Sequence, residues 1–194
     1  MILVISRVLF FLLVLTLGWA EGSLAGKQGG SPDLCGVESL PPEIQTRLKI
    51  EFTSWRIEDT DGLSTYTRER WTSEKPLRCP GLATGQFGDN DIPSYAILVV
   101  PKINPQSAYK FLIFTRLSGQ QFYTSEVLDS GNAGADNFFI HAISLSKFFD
   151  KRSRLKFHAH SRVGILLVDA AENEYEVDVY FRADRKYTHQ AIDY

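Results

Sequence analysis

The segment SYAILVV at residues 94–100 decides the fold, because it is a nearly continuous apolar run of strand-forming residues. It is followed by YKFLIFTRL at residues 109–117, a segment rich in strand-favouring residues. A tight link at residues 118–120 then leads to a third strand-like stretch at 122–128. Three such runs joined by short links predict an antiparallel meander.

Strand-forming segments continue towards the carboxyl end after a loop rich in Gly, Ala, Asn and Asp. The loop covers residues 129–137, and the segments are 138–145 (strand or short helix), 156–160, 163–169, 175–182 and 185–189. Strands do not alternate with helices, which disfavours a parallel βαβ arrangement. The sequence therefore predicts an α+β fold, with an antiparallel sheet of about seven strands.

Helical patterns precede the sheet. Ile44, Leu48 and Phe52 recur at four-residue spacing behind two prolines, which predicts an amphipathic helix over residues 41–52. A second candidate begins near Leu63 and ends before Pro76. We expect one or two helices at the amino-terminal end of the fold.

Composition sets the broad class of the protein. The 194 residues are 44% hydrophobic and 23% charged, as in an ordinary globular protein. The formal charge of −2 excludes a strongly basic nucleic-acid binder, so we expect no nucleic-acid partner. We assign residues 39–194 to a single domain.

The first twenty residues carry the pattern of an export signal. Residues 8–17 are apolar apart from Thr16, follow Arg7, and precede a small-residue cleavage site ending at Ala20. A second cut after Ala25 and a retained membrane anchor are the alternatives. We assign residues 1–20 to a signal peptide, which predicts a secreted or periplasmic protein without a stable membrane span after cleavage.

Residues 21–38 include a glycine-rich polar stretch and predict a flexible spacer. The chain has two cysteines, Cys35 and Cys79. In an exported protein such a pair commonly forms a disulfide, and the chain-entropy estimate for this loop is ~4 kcal/mol. Two free thiols are the alternative.

The segment GQFGDNDIPSYA at residues 85–96 resembles the calcium loop of FG-GAP and integrin-type repeats. The resemblance implies a Ca²⁺ site at Asp89, Asn90 and Asp91. The family's other ligand positions hold Gln86, Gly88 and Ser94, leaving only Asn90 in phase. The competing interpretation is a polar hairpin without an ion.

A wider set of residues extends over much of the chain and comprises Trp55, Cys79, Pro80, Gly81, Gly85, Phe87, Tyr95, Ala96, Ile97, Leu98, Val179, Tyr180, Phe181 and Tyr187. This set is similar to a family of small secreted bacterial proteins without an assigned function. The resemblance implies an exported single-domain protein and brings no catalytic residue.

His158 and His160 lie two residues apart on a predicted strand, so their side chains share a face and could bind zinc with a third ligand. Arg162 follows on the same face, which favours a polar, solvent-facing stripe.

A separate basic run precedes these histidines and could contact an anionic surface. It comprises Lys147, Lys151, Arg152, Arg154 and Lys156. A solvated loop is the competing interpretation.

The sequence contains no Gly-x-Ser-x-Gly elbow and no phosphate-binding glycine loop. We therefore predict an exported, non-catalytic protein that binds a macromolecule or an envelope component through an exposed sheet face. The alternatives are a metal-assisted hydrolase using His158 and His160, or a calcium-stabilised structural domain at residues 89–91. No cofactor is expected, although Ca²⁺ and Zn²⁺ stay open.

Overall fold

A computed structural model describes residues 34–74, 78–88, 91–148, 162–172, 174–183 and 185–192. The α-helices in this part of the chain are α1 (Pro42–Glu51), α2 (Thr65–Glu74) and α3 (Leu145–Phe148). The strands are β1 (Trp55–Ile57), β2 (Leu82–Gly85), β3 (Ser94–Pro101), β4 (Tyr109–Thr115), β5 (Thr124–Gly131), β6 (Phe138–Ser144), β7 (Val163–Ala171), β8 (Glu174–Ala183) and β9 (Lys186–Ile192).

The predicted α+β class with antiparallel strands is confirmed, and the strands are divided between two sheets. The first sheet has the order β3-β4-β5, with both β1 and β2 paired along the other edge of β3. The second sheet has the order β6-β7-β8-β9. All of these pairings are antiparallel.

The two sheets pack face to face, and a helix covers the outer face of each. On β3, Ala96 and Leu98 point into the core between the sheets, whereas Ile97 points towards α1. On β7, Leu167 points into the central core and Leu166 towards α2. Because neighbouring strand residues face opposite ways, burial on both faces explains the continuous apolar runs in the sequence.

Both predicted amino-terminal helices are confirmed. The first, α1, buries Ile44 and Leu48 against the first sheet. The second follows Ser64, whose hydroxyl accepts a hydrogen bond from the backbone N–H of Thr67, as a helix N-cap does. It packs Trp71 against the second sheet.

Two strands differ from the expectations. The strand β2 was not predicted, because it has only four residues and ends at a glycine. The strand β5 extends to Gly131, into the predicted loop, because Asp129 pairs with Phe111 in the ladder and accepts the Tyr109 hydroxyl at 3.0 Å. The predicted strand at 156–160 lies outside the described residues.

The predicted disulfide between Cys35 and Cys79 is confirmed, with Cα atoms 5.1 Å apart. It ties the segment before α1 to the segment before β2. A short 3-10 helix already begins at Val37. The folded part therefore includes residues 35–38, which we had assigned to the spacer, while residues 1–33 lie outside the described chain.

Among the described helices, none combines the length and apolar character that crossing a bilayer requires.

Candidate binding groove

A groove of about 630 Å³ opens on the outer face of the first sheet, beside strand β1. Its apolar floor is formed by Leu48 and Phe52 at the end of α1, by Trp55 and Ile57 of β1, and by Val99 of β3. This volume lies within the range of small-molecule sites. The concavity thus forms only where the end of α1, strand β1 and the segment around Cys35 come together.

The turn between α1 and β1 positions the two aromatic floor residues. The helix ends at Phe52, whose carbonyl accepts a hydrogen bond from the Trp55 N–H at 2.9 Å. Lys102 holds the turn against β3, because its amine donates to the Thr53 carbonyl at 2.8 Å. The Lys110 amine lies 4.9 Å from the centroid of the Trp55 ring and 5.7 Å from that of Phe52, within the range of cation–π attraction.

The rim of the groove carries more basic than acidic groups. Lys49, Arg56 and Lys102 contribute positive charges, while Glu38 and Asp59 contribute negative ones. A ligand with an apolar body and one anionic group therefore matches the floor and the rim together.

Arg56 connects the rim with a buried acid. Its Nη1 donates to Asp59 Oδ2 at 2.7 Å and to the Ile57 carbonyl at 3.2 Å. Its Nη2 lies 3.6 Å from Glu58 Oε1. One guanidinium is thus shared by an exposed carboxylate and a carboxyl behind the groove.

The Glu58 side chain is fully buried. Burial raises the pKa of Glu58 to about 7, against the lowering effects of the Arg56 charge and of the hydrogen bond from the Asp59 N–H. Asp59 and Asp136 oppose its ionisation as well. Its Oε2 has no hydrogen-bond partner among the described residues.

Two glycines enclose this acid. A Cβ atom at Gly62 would overlap Glu58 Oε1, and one at Gly81 would overlap the Glu58 backbone. On the same side, Cys79 Sγ lies 3.4 Å from the Glu58 carbonyl oxygen. The disulfide therefore contacts the strand end that presents Glu58, and its other half, Cys35, lines the groove.

A second polar cluster lies between the sheets. The Tyr109 hydroxyl donates to Asp129, and the Tyr180 ring contacts Phe111 edge-on at 5.0 Å and stacks on His189 at 5.2 Å. Burial first, and then the Asp129 charge, raise the pKa of both tyrosines. Both phenols therefore stay protonated at neutral pH, and the cluster serves the packing of the two sheets.

The predicted calcium loop connects two strands of a hairpin, because Gly85 pairs with Ser94 in the β2–β3 ladder. Asp91 is exposed, and Asp89 and Asn90 lie outside the described residues. Phe87 is buried, and its carbonyl accepts the Tyr187 hydroxyl at 3.2 Å. These contacts establish a hairpin, and the Ca²⁺ site at its tip stays a prediction.

The other predicted site residues are mostly beyond the described chain. They are His158, His160, Lys151, Arg152, Arg154 and Lys156. Lys147 lies in α3, and its side chain is not described. In the described ranges, no group of three or more His, Cys, Asp or Glu side chains could hold a metal ion.

The groove is a different surface from the exposed sheet face named in the sequence analysis, and binding through such a face stays a prediction. Strands β3, β4 and β7 are buried along most of both faces. Sequence reasoning missed the pair formed by Arg56 and Glu58, although their alternation with Trp55 and Ile57 was a usable pattern. Charged residues on every second position of a short apolar strand indicate a polar opposite face.

The chain matches no protein-family model, no curated protein and no solved structure.

Proposed function

We propose that this protein is an exported, non-catalytic binding protein that takes an amphiphile of the cell envelope into the groove beside β1. The ligand class is an acyl or aromatic body carrying one anionic group. The observation that carries the proposal is the combination, in one concavity, of an apolar floor with a rim that carries three basic and two acidic groups.

The disulfide supports the exported location, because such bonds persist mainly in oxidising compartments. The apolar segment at residues 8–17 and the small residues before position 21 support it independently. Exposed Ile50 and Ile103 directly follow the rim lysines Lys49 and Lys102. Paired basic and apolar side chains of this kind suit contact with an anionic lipid surface.

Calorimetric titration of the purified protein with decyl sulfate and with 1-decanol tests the ligand class. The proposal expects both to bind, with the sulfate binding more tightly because of the basic rim. Lys49→Ala should weaken the binding of decyl sulfate and leave that of 1-decanol nearly unchanged, because Lys49 is an exposed rim lysine of α1. Lys186→Ala, at an exposed lysine of β9, should alter neither. Absence of binding by both probes overturns the proposal.

A second pair of variants tests the floor. Trp55→Ala should weaken the binding of both probes, because it removes an aromatic side chain from the floor of the groove. Phe122→Ala removes an exposed aromatic that does not line the groove and should leave binding unchanged. Equal losses in the two variants would contradict this site.

Amino-terminal sequencing of the protein from fractionated cells tests the export. The proposal expects a chain beginning at Glu21 or Gly26 outside the cytoplasm. A chain retaining Met1 in the cytoplasmic fraction would contradict it.

A further inference from the structure

Arg56 is a rim residue of the groove whose side chain also contacts a fully buried ionisable group, Glu58. Its guanidinium faces Glu58 on one side and Asp59 on the other. An anion that binds at Arg56 must share its guanidinium with these two carboxyl groups. The positive charge that Arg56 offers to a ligand therefore depends on the charge of the buried Glu58.

The two acids differ in their surroundings. Asp59 is partly exposed, and the backbone N–H groups of Asp61 and Gly62 donate to its Oδ1 at 3.0 Å. Glu58 has no exposed surface, and its Oε2 has no hydrogen-bond partner among the described residues. Burial of this kind opposes ionisation, so Glu58 is the acid whose charge responds to pH near neutrality.

We propose that the proton on Glu58 controls the groove, so that an anionic amphiphile binds tightly when Glu58 is protonated and is released when Glu58 ionises. This inference rests on the proposed function and adds a regulation of the same site. With Glu58 protonated, Arg56 neutralises only Asp59. With Glu58 ionised, one guanidinium faces two carboxylates, so the electrostatic potential at Arg56 becomes negative and repels the anionic group of a ligand.

The groups around Glu58 favour a change of its charge near neutral pH. Burial and the charges of Asp59 and Asp136 raise the pKa of Glu58, and only Arg56 and the Asp59 N–H act in the opposite direction. Gly62 and Gly81 pack closely against Glu58 and carry no charge. The charged neighbours that set the behaviour of Glu58 are therefore Arg56, Asp59 and Asp136.

The test measures the dissociation constant of decyl sulfate at pH 6 and pH 8, because this probe stays ionised at both. The wild-type protein should bind it roughly five- to tenfold more tightly at pH 6. Glu58→Gln mimics the protonated acid and should bind with the pH 6 affinity at both values. The neutral probe 1-decanol should show no pH dependence in either protein.

A second measurement uses only the wild-type protein. Titration with decyl sulfate at pH 7 in buffers of different ionisation enthalpy should show uptake of a fraction of a proton per ligand bound. Proton uptake together with the pH dependence supports the switch even where Glu58→Gln fails to fold.

The outcomes separate the two proposals. Decyl sulfate binding without pH dependence or proton uptake overturns the switch and leaves the proposed function standing. A pH dependence that persists unchanged in folded Glu58→Gln also overturns the switch. Failure of both probes to bind at either pH overturns the proposed function first, and the switch falls with it.

Discussion

The two outer layers of the molecule are built from similar parts and leave different surfaces. Each sheet is covered by one ten-residue helix, α1 on the first sheet and α2 on the second. Trp71 of α2 is buried against Phe139, with ring centroids 5.1 Å apart. The end of α1 instead leaves the groove with Arg56 at its rim. We expect from this contrast that the α2 layer mainly supplies stability, and under the proposed function the α1 layer supplies the binding surface.

The largest expected effect is in the α2 layer. Trp71→Ala should lower the free energy of unfolding by about 3–5 kcal/mol, because it removes a buried aromatic side chain and leaves a cavity. It also removes the hydrogen bond from Trp71 Nε1 to the Arg78 carbonyl. Urea denaturation measures the loss.

Tyr66→Ala is the control for this prediction, because Tyr66 lies on the same helix and is 40% exposed. Tyr66→Ala should lower the free energy of unfolding by less than about 1 kcal/mol. Below its melting temperature, Trp71→Ala should still bind decyl sulfate as the wild type does. A loss of binding in folded Trp71→Ala would break the separation between the two layers.

Removal of the disulfide should have the next largest effect on stability, and this effect should fall mainly on the α1 layer. Replacing both Cys35 and Cys79 by serine should lower the free energy of unfolding by about 2–4 kcal/mol, because the unfolded chain gains freedom. Since Cys35 lines the groove, decyl sulfate binding should weaken as well.

Native-state hydrogen exchange locates the change caused by the serine variant. Amides of α1 and β1 should lose more protection than amides of α2. Equal loss of protection in α1 and α2 would show that the disulfide holds the whole fold and has no special relation to the groove.

The burial of Glu58, on the α1 side of the molecule, predicts that the stability of the fold depends on pH. The folded protein raises the pKa of Glu58 from 4.5 to about 7, so it holds this proton more tightly than the unfolded chain does. The stabilisation is complete below pH 4.5 and is lost as the pH rises through about 7. A shift of this size corresponds to roughly 3 kcal/mol as an upper value.

Denaturation at a series of pH values between 5 and 8 measures this dependence. Glu58→Gln should remove most of the decrease in stability, because the amide does not ionise. Glu69→Gln, an exposed acid on α2, should leave the decrease unchanged. A decrease of the same size in Glu58→Gln would assign the pH dependence to other groups.

The sequence predicted the parts of the molecule that depend on local pattern. The spacing of Ile44 and Leu48 located α1, and the apolar run at residues 94–100 located β3. Burial of one face requires apolar residues at periodic positions, and burial of both faces of a strand requires a continuous apolar run. The division into two sheets was not predicted. An apolar run shows that both faces are buried, without showing whether a helix or a second sheet covers each face.

The groove could not be predicted because its walls come from distant segments. Cys35, Phe52 and Val99 meet only after α1 has packed on the first sheet. Glu58 is likewise buried by Gly62 and Gly81, which approach it from the following turn and from the segment before β2. The sequence around it, an acid followed by Asp59, has the appearance of an exposed turn.

The smallest predicted effect concerns one buried hydroxyl in the α2 layer. Thr67 is fully buried, and its hydroxyl donates to the Ala170 carbonyl of β7 at 3.1 Å and lies 2.7 Å from Ser64 Oγ. Thr67→Val keeps the shape of the side chain but removes both contacts, which should cost about 1 to 2 kcal/mol. Urea denaturation is precise enough to detect a difference of this size.

Thr46→Val is the matched control in α1, because the Thr46 hydroxyl is exposed and donates to the Pro42 carbonyl within its own helix. Its effect should stay within about 0.5 kcal/mol of the wild type. If Thr67→Val were as neutral as Thr46→Val, the α2 layer would depend on apolar packing alone. Its stability would then rest on Trp71 and its apolar neighbours, without help from the polar link to β7.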